Sequence, residues 1–419
     1  AVMHLSLIVF FLPFGLSFAT FTPLRLSVMR PSDLGSFSDK IENSLRKAIH
    51  NLSGIISVLD YGPRNITWES VLKCSKSFML TRRVHLMRQI NAREITAEKL
   101  TFDRGFLLSM RDFLILLESN RSLCERHQQM MASAVPCSIK DGTRPLLGVV
   151  NICPGKRWKE FQAGVDLFRH ELLHTLGFGT LVPSTATQKS PPNVKYYWTD
   201  TWGRSSAQMA KRRFLDFAVD ALEEAKKYLG CPTLAGVEAD SADKIHLNEY
   251  IYGNELMTPS LSNVSNRFSY ISAAILEGTF LGDKPWYRVN RSAIRSEHDA
   301  LWYGRDWGCT FAERSCFDFI EERTRKKKST FPFCSKYDYY VGGTKLKLKR
   351  SGTVMKSRIF KCWSQPFIAS DFADNGIRAH PLTSAEASSR LKRNGSPSKW
   401  RFCPMAKIFV DDRFDLLPG

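Results

Sequence analysis

Residues 170–179 read HELLHTLGFG, and the run in front of them limits what that stretch can be. Over 158–176, WKEFQAGVDLFRHELLHTL, Val165, Phe168, Leu172 and Leu176 recur at helical spacing, which predicts one amphipathic helix. His170 and His174 lie a turn apart on its other side, so both imidazoles can reach a single ion. Glu171 sits about 100° further round, placed to act on a water without ligating. Gly177 follows where a residue of positive φ ends a helix. An H-E-x-x-H helix of this kind holds zinc with the glutamate as general base, although a five-residue match also arises by chance. A catalytic zinc site takes three protein ligands. This run offers two, and Thr180 stands three residues after Gly177, so a third must come from elsewhere in the chain.

Nine histidines are available. His4 falls in an apolar leader, and His50 in a helical-looking stretch, DKIENSLRKAIHNL. His85 and His127 have basic, polar surroundings, while His298 and His380 are expected in loops. His246 differs, because KIHLNEYIYGNELMTPS places Met257 eleven residues beyond it.

HELLHTLGF, a distant histidine and then ELMTP together resemble the leishmanolysin (invadolysin) family of secreted zinc metalloproteases, a branch of the metzincins. RPLLGVVNICPGKRW (144–158), LGCPTLAGVE from Leu229 and WYRVNRSAIRSEHDALWYGRDWGCTF from Trp286 also look like family segments, and the similarity covers about 105 to 322. The resemblance implies that His170, His174 and His246 ligate one Zn2+, that Glu171 is the general base and that Met257 forms an apolar floor under the ion. It implies an α+β, metzincin-like fold, with a mixed sheet packed on the active-site helix and a disulfide-containing C-terminal region. Substrates would be proteins and peptides, paired with the edge strand of the sheet, which the resemblance puts at Gly148–Asn151. The chain departs from the family in having Leu247-Asn248-Glu249 where relatives carry a tryptophan and a glutamate, in its fewer cysteines, and in lacking an upstream H-x-C motif. The expected division is a signal peptide (1–19), an N-terminal catalytic subdomain (20–179), a central subdomain with the third histidine and Met-turn (180–310), and a basic C-terminal region (311–419).

The expected compartment is extracellular. Residues 3–19, MHLSLIVFFLPFGLSFA, form an apolar run ending in a small-x-small cleavage pattern, too short for an ordinary membrane span. A signal anchor is the less favoured reading, and FDLLPG at the end has no apolar tail for lipid attachment. Ten cysteines, Cys74, Cys124, Cys137, Cys153, Cys231, Cys309, Cys316, Cys334, Cys362 and Cys403, include no C-x-x-C pair and suit up to five disulfides. Sequons at Asn51, Asn65, Asn120, Asn263 and Asn290 fit the same compartment.

Net charge is the outlier, at +19. It predicts attraction to polyanions, with RTRKKK (323–328) in an exposed loop and KLKLKR (345–350) as a strand with Lys345, Lys347 and Lys349 on one face. Sulfated glycosaminoglycans or anionic cell surfaces would suit such a strip, whereas no nucleic-acid-binding module is present. A second functional class therefore stands beside the protease: a catalytically inactive adhesion or polyanion-binding protein that keeps a structural zinc. Elsewhere, residues 106–119 and Leu146–Cys153 read as strands. Residues 204–230 read as one serine-capped helix burying Phe214, Ala218, Ala221, Leu222 and Ala225 and stopping at Gly230.

Overall fold

The computed structural model describes residues 20–333 apart from short internal stretches, the longest being 181–194, together with short strands at Lys347–Arg350, Thr353–Met355 and Leu416–Leu417. The apolar leader at 1–19, His380, Asn263, Lys345 and Cys334, Cys362 and Cys403 lie outside the described residues.

A six-stranded mixed sheet organises the N-terminal half. Its strands run in the order Ile95–Thr101, Arg83–Gln89, Leu26–Pro31, Phe113–Glu118, Leu147–Ile152 and Ala132–Pro136. The three central strands are mutually parallel and the flanking ones antiparallel. Parallel strands covered on both faces have no polar side to present, hence runs such as Phe113–Leu117 and Leu147–Ile152 in which every residue is buried. One face carries the helices Asp39–Ile55 and Gly164–Thr175 over Val28, Ile115, Leu117, Val150 and Ile152. The other face, with Met29, Leu86, Leu114, Leu116 and Val149, packs on Ile66, Val71 and Phe78. Gly148 lets the histidine helix settle: a Cβ there would lie 2.6 Å from Thr175 Cβ.

The chain after the helix continues the same core. Apolar side chains from Leu24 to Phe333 form one cluster that includes Leu247, Leu256, Met257, Ile271 and Ile294. Disulfides join Cys74 to Cys137, Cys124 to Cys153 and Cys231 to Cys309, and Cys316 is disulfide-bonded as well. No described helix is long and apolar enough to cross a membrane.

Several local expectations are corrected. The strand expected over 106–119 is two, Leu107–Met110 pairing with Arg64–Thr67 and Phe113–Glu118 in the central sheet. The helix expected over 158–176 is also divided, into Arg157–Glu160 and Gly164–Thr175. Trp158 folds back there to stack on Phe168, ring centroids 5.6 Å apart, and donates Nε1–H to the Cys153 carbonyl. Among the described residues of 204–230 only Val219–Leu229 is helical; Ser205–Met209 and Phe214–Asp216 are strands. Phe214 pairs with Glu238 and is buried against Gly236, so tertiary pairing overrides a good helical periodicity.

Gly148–Asn151 is not an edge, being hydrogen-bonded on both sides; the edge is Ala132–Pro136. His298 lies on the helix Arg291–Ala300 rather than in a loop. The basic run at 323–328 begins inside the helix Cys316–Arg325, where Arg323 covers the Phe319 ring. Among the sequons, Asn65, Asn120 and Asn290 are exposed, whereas Asn51 is half-buried within a helix.

Candidate metal centre

Three histidines converge. Nε2 of His174 lies 3.0 Å from Nε2 of His170 and 3.1 Å from that of His246, and the third side of the triangle is 3.2 Å. Two of the rings are aimed by backbone carbonyls. Nδ1–H of His170 donates to the Leu256 carbonyl at 2.7 Å, and Nδ1–H of His174 to the Phe178 carbonyl at 3.0 Å. A carbonyl can only accept, so the proton sits on Nδ1 and each Nε2 presents a lone pair to the centre of the triangle.

The third histidine arrives with a short stretch of paired backbone. Ala239 bridges Leu247, the Asp240 N–H donates to the His246 carbonyl at 3.0 Å, and the Leu247 N–H donates to the Met257 carbonyl at 2.9 Å. One rung thus ties the third histidine to the turn that carries Leu256 and Met257. Beyond the helix, Gly177 and Gly179 have φ of 112° and 69°. Gly179 allows the closest approach, since a Cβ on it would lie 2.2 Å from the Ile245 carbonyl oxygen.

Met257 is fully buried next to this turn, and its N–H is held by Glu255. Glu255 is itself completely enclosed, accepting from the N–H and hydroxyl of Ser269 at 3.0 and 2.8 Å. Burial raises its pKa, against the pull of these donors.

Burial also sets the charge state of the triad. It holds His170 well below the ordinary histidine range, with the neighbouring His174 and His246 adding to the effect, and takes His174 to about 4 and His246 to about 3. Glu171 is 6% exposed, and burial pushes its carboxyl up to about 8. Among the described residues no group pairs with that carboxylate.

Three neutral imidazoles pointing lone pairs at one another at about 3 Å are mutually repulsive without a cation between them. Tetrahedral coordination at 2.0–2.1 Å separates ligand nitrogens by roughly 3.3 Å, close to the spacing here, so the donor set fits zinc. The other cluster of ligand-type side chains among the described residues, Cys231, Cys309 and Glu313, has both sulfurs spent in a disulfide.

The charged supports of this centre are invisible to motif reading. Arg169, next to His170, is buried and donates from Nη2 to both carboxylate oxygens of Glu297 at 2.9 and 3.0 Å, with Asp166 at 3.3 Å from Nη1 on its other side. Asp166 in turn accepts from the Asn266 N–H at 3.0 Å, and Glu297 from the Phe268 N–H at 3.0 Å. The only sequence signal for them is an arginine and an aspartate in an otherwise buried helix.

A mixed sheet backing a two-histidine helix, with a third histidine delivered above a buried methionine turn, defines a metzincin-like class of fold. Within that class, the family model described as Leishmanolysin matches residues 104–354, and the chain belongs to this family of metallopeptidases. The match extends past the limit of about 322 expected from sequence. The chain is 23% identical to a leishmanolysin-like peptidase of Caenorhabditis elegans over 323 residues, 68% of this chain and 46% of that protein. It is 29% identical to one of Drosophila pseudoobscura pseudoobscura over 227 residues, 46% of this chain and 32% of that protein. The chain therefore spans less than half the length of these relatives.

Proposed function

We propose that the chain is a secreted zinc-dependent endopeptidase in which His170, His174 and His246 hold one Zn2+ and Glu171 is the general base. The observation that carries this is the Nε2 triangle of 3.0–3.2 Å, with two rings locked in the tautomer a metal needs. Zinc bound there would supply Lewis acidity, polarising a peptide carbonyl and acidifying a water. Glu171, enclosed and without a competing partner, takes the proton of the attacking water and returns it to the leaving amine. Met257 closes the apolar side of the site.

Extended substrate pairs with Ala132–Pro136, the antiparallel edge strand beside Leu147–Ile152, rather than with Gly148–Asn151. Among the described residues its outer side has no strand partner, and Val135 is 55% exposed. The disulfides support an oxidising compartment. The expected boundaries at 19, 179 and 310 are retained as proposed limits of the leader and subdomains.

The deciding experiment is cleavage of denatured casein by the metal-loaded protein, with zinc content measured on the same samples. Chelator-sensitive cleavage that disappears in Glu171→Ala at unchanged zinc content is expected. Zinc bound with no cleavage, also after limited proteolysis, would instead favour the adhesion or polyanion-binding protein with a structural zinc.

A further inference from the structure

The end of the central sheet opposite the edge strand Ala132–Pro136 carries a second concavity, which none of the three histidines lines. It is a cleft of about 220 Å³ between the helix Asp39–Ile55 and the strands Leu26–Pro31, Arg83–Gln89 and Ile95–Thr101. Its floor is apolar, with Ile41, Leu45 and Leu117 all buried. Its polar lining sets Arg30, Arg46, His85 and Lys99 against Glu42 and Glu98. Arg30 is in register with His85 on the next strand, and His85 with Lys99 on the one after, so three basic side chains form a single cross-strand row. Arg46 reaches the same cleft from the helix.

Arg30 and Lys99 thus stand on the strands either side of His85, two cations flanking one imidazole. Two described carboxylates near this row are already engaged by arginines. Glu42 lies 3.6 Å from Arg30, and Glu98 is engaged by Arg88 at 3.6 Å. Among the described residues no carboxylate lies within ion-pair distance of Arg46 or Lys99. The cleft is thus a half-enclosed, apolar-floored hollow whose three cations outnumber its two carboxylates, and low-dielectric walls strengthen their combined field. Burial, together with Arg30 and Lys99, keeps His85 below the usual histidine range, while Glu42 opposes them.

We infer that this cleft is an exosite for a tetrahedral oxyanion group, a sulfate or phosphate, held by Arg30, Arg46 and Lys99 with His85 as an auxiliary donor. Arginine offers such a group a bidentate fork and lysine a point charge. The group can come as a free ion or as a sulfate ester on a polysaccharide, and the two sources share this recognition chemistry.

The test is isothermal titration of inorganic phosphate, inorganic sulfate and a heparin tetrasaccharide into the full-length zinc-loaded protein at low ionic strength. Arg46→Gln/Lys99→Gln and Glu42→Gln are titrated alongside. One saturable site is expected, weakened at least tenfold in the double variant and tightened in Glu42→Gln, where a competing carboxylate is gone; a misfolded protein would not bind more tightly. Casein cleavage stays unchanged in both. A free-ion site shows heparin no tighter than sulfate, whereas an ester site shows heparin at least tenfold tighter, with that gain lost in the double variant. The His85 ring proton resonance supplies a local readout, its pKa rising when the anion binds. Absence of saturable binding by all three probes, or equal binding by wild type and double variant, overturns the inference.

Discussion

Arg169 and Glu297 stand 128 residues apart in sequence and form an ion pair beside the first histidine of the triad, Nη2 reaching both carboxylate oxygens, with Arg169 only 4% exposed. The pair joins the histidine helix to the helix Arg291–Ala300, and through Phe268 it also holds the segment that follows the Met-turn. Removing one partner of a buried pair leaves an uncompensated charge, at about 3–5 kcal/mol. Glu297→Gln is expected to lower unfolding stability by about 2 kcal/mol, below that range because Glu297 is partly exposed and Asp166 still faces Arg169 at 3.3 Å. Urea denaturation checks this. Arg169→Met/Glu297→Leu should recover part of the loss, which a packing defect alone would not allow.

The approach of Gly179 to Ile245 gives a more selective prediction. In Gly179→Ala, both the positive φ of 69° and the 2.2 Å overlap with the Ile245 carbonyl must be relieved by moving the segment that leads into His246. The helical pair His170 and His174 would be left in place. Zinc affinity is expected to fall by tenfold or more with little loss of helix content. Competition with a chromophoric chelator reads the first, and far-ultraviolet circular dichroism the second; unchanged affinity would mean that the turn relaxes without shifting His246.

Glu255 holds the Met-turn through three donors, the N–H of Met257 and the N–H and hydroxyl of Ser269. Glu255→Gln keeps the shape but replaces one accepting oxygen by an NH2 group, so one buried N–H or O–H loses its acceptor. A cost of about 1–3 kcal/mol is expected. Because Leu256 supplies the carbonyl that aims His170, zinc affinity should drop as well. Ser269→Ala, which removes a single neutral donor, should cost less by both measures.

A pH effect follows from His298, which stacks on Tyr270 at 3.9 Å and accepts the Tyr270 N–H on Nδ1 at 3.3 Å. Burial and then the nearby Arg305 take its pKa to about 4, against 6.5 for an unperturbed ring. The folded state thus binds its proton less readily than the unfolded chain. No penalty exists above pH 6.5; it builds as pH falls from 6.5 to about 4 and is complete below that. Since the ring is only half-buried, the expected total is about 1–2 kcal/mol. Thermal melts of wild type and His298→Asn between pH 7 and 4 should diverge over this window, wild type losing more. Parallel curves would assign the acid sensitivity to other groups.

Local spacing in the sequence by itself determined the histidine helix and the glycine at its end, while the short motifs HELLHTLGF and ELMTP carried the resemblance that implied His246 with a methionine turn, the family and the α+β class. Tertiary structure alone decided the rest. Phe214 sits in a strand although its periodicity is helical, since pairing with Glu238 and burial against Gly236 outweigh propensity. Gly148–Asn151 reads as an edge only until Ala132–Pro136 pairs with it. The carbonyls of Leu256 and Phe178 that fix the ring tautomers, and the Arg169–Glu297 clamp, connect positions whose separation leaves no periodic trace. Backbone groups carry no residue identity, and a single buried ion pair has no repeat. Such contacts exist only once the sheet and the histidine helix have packed together.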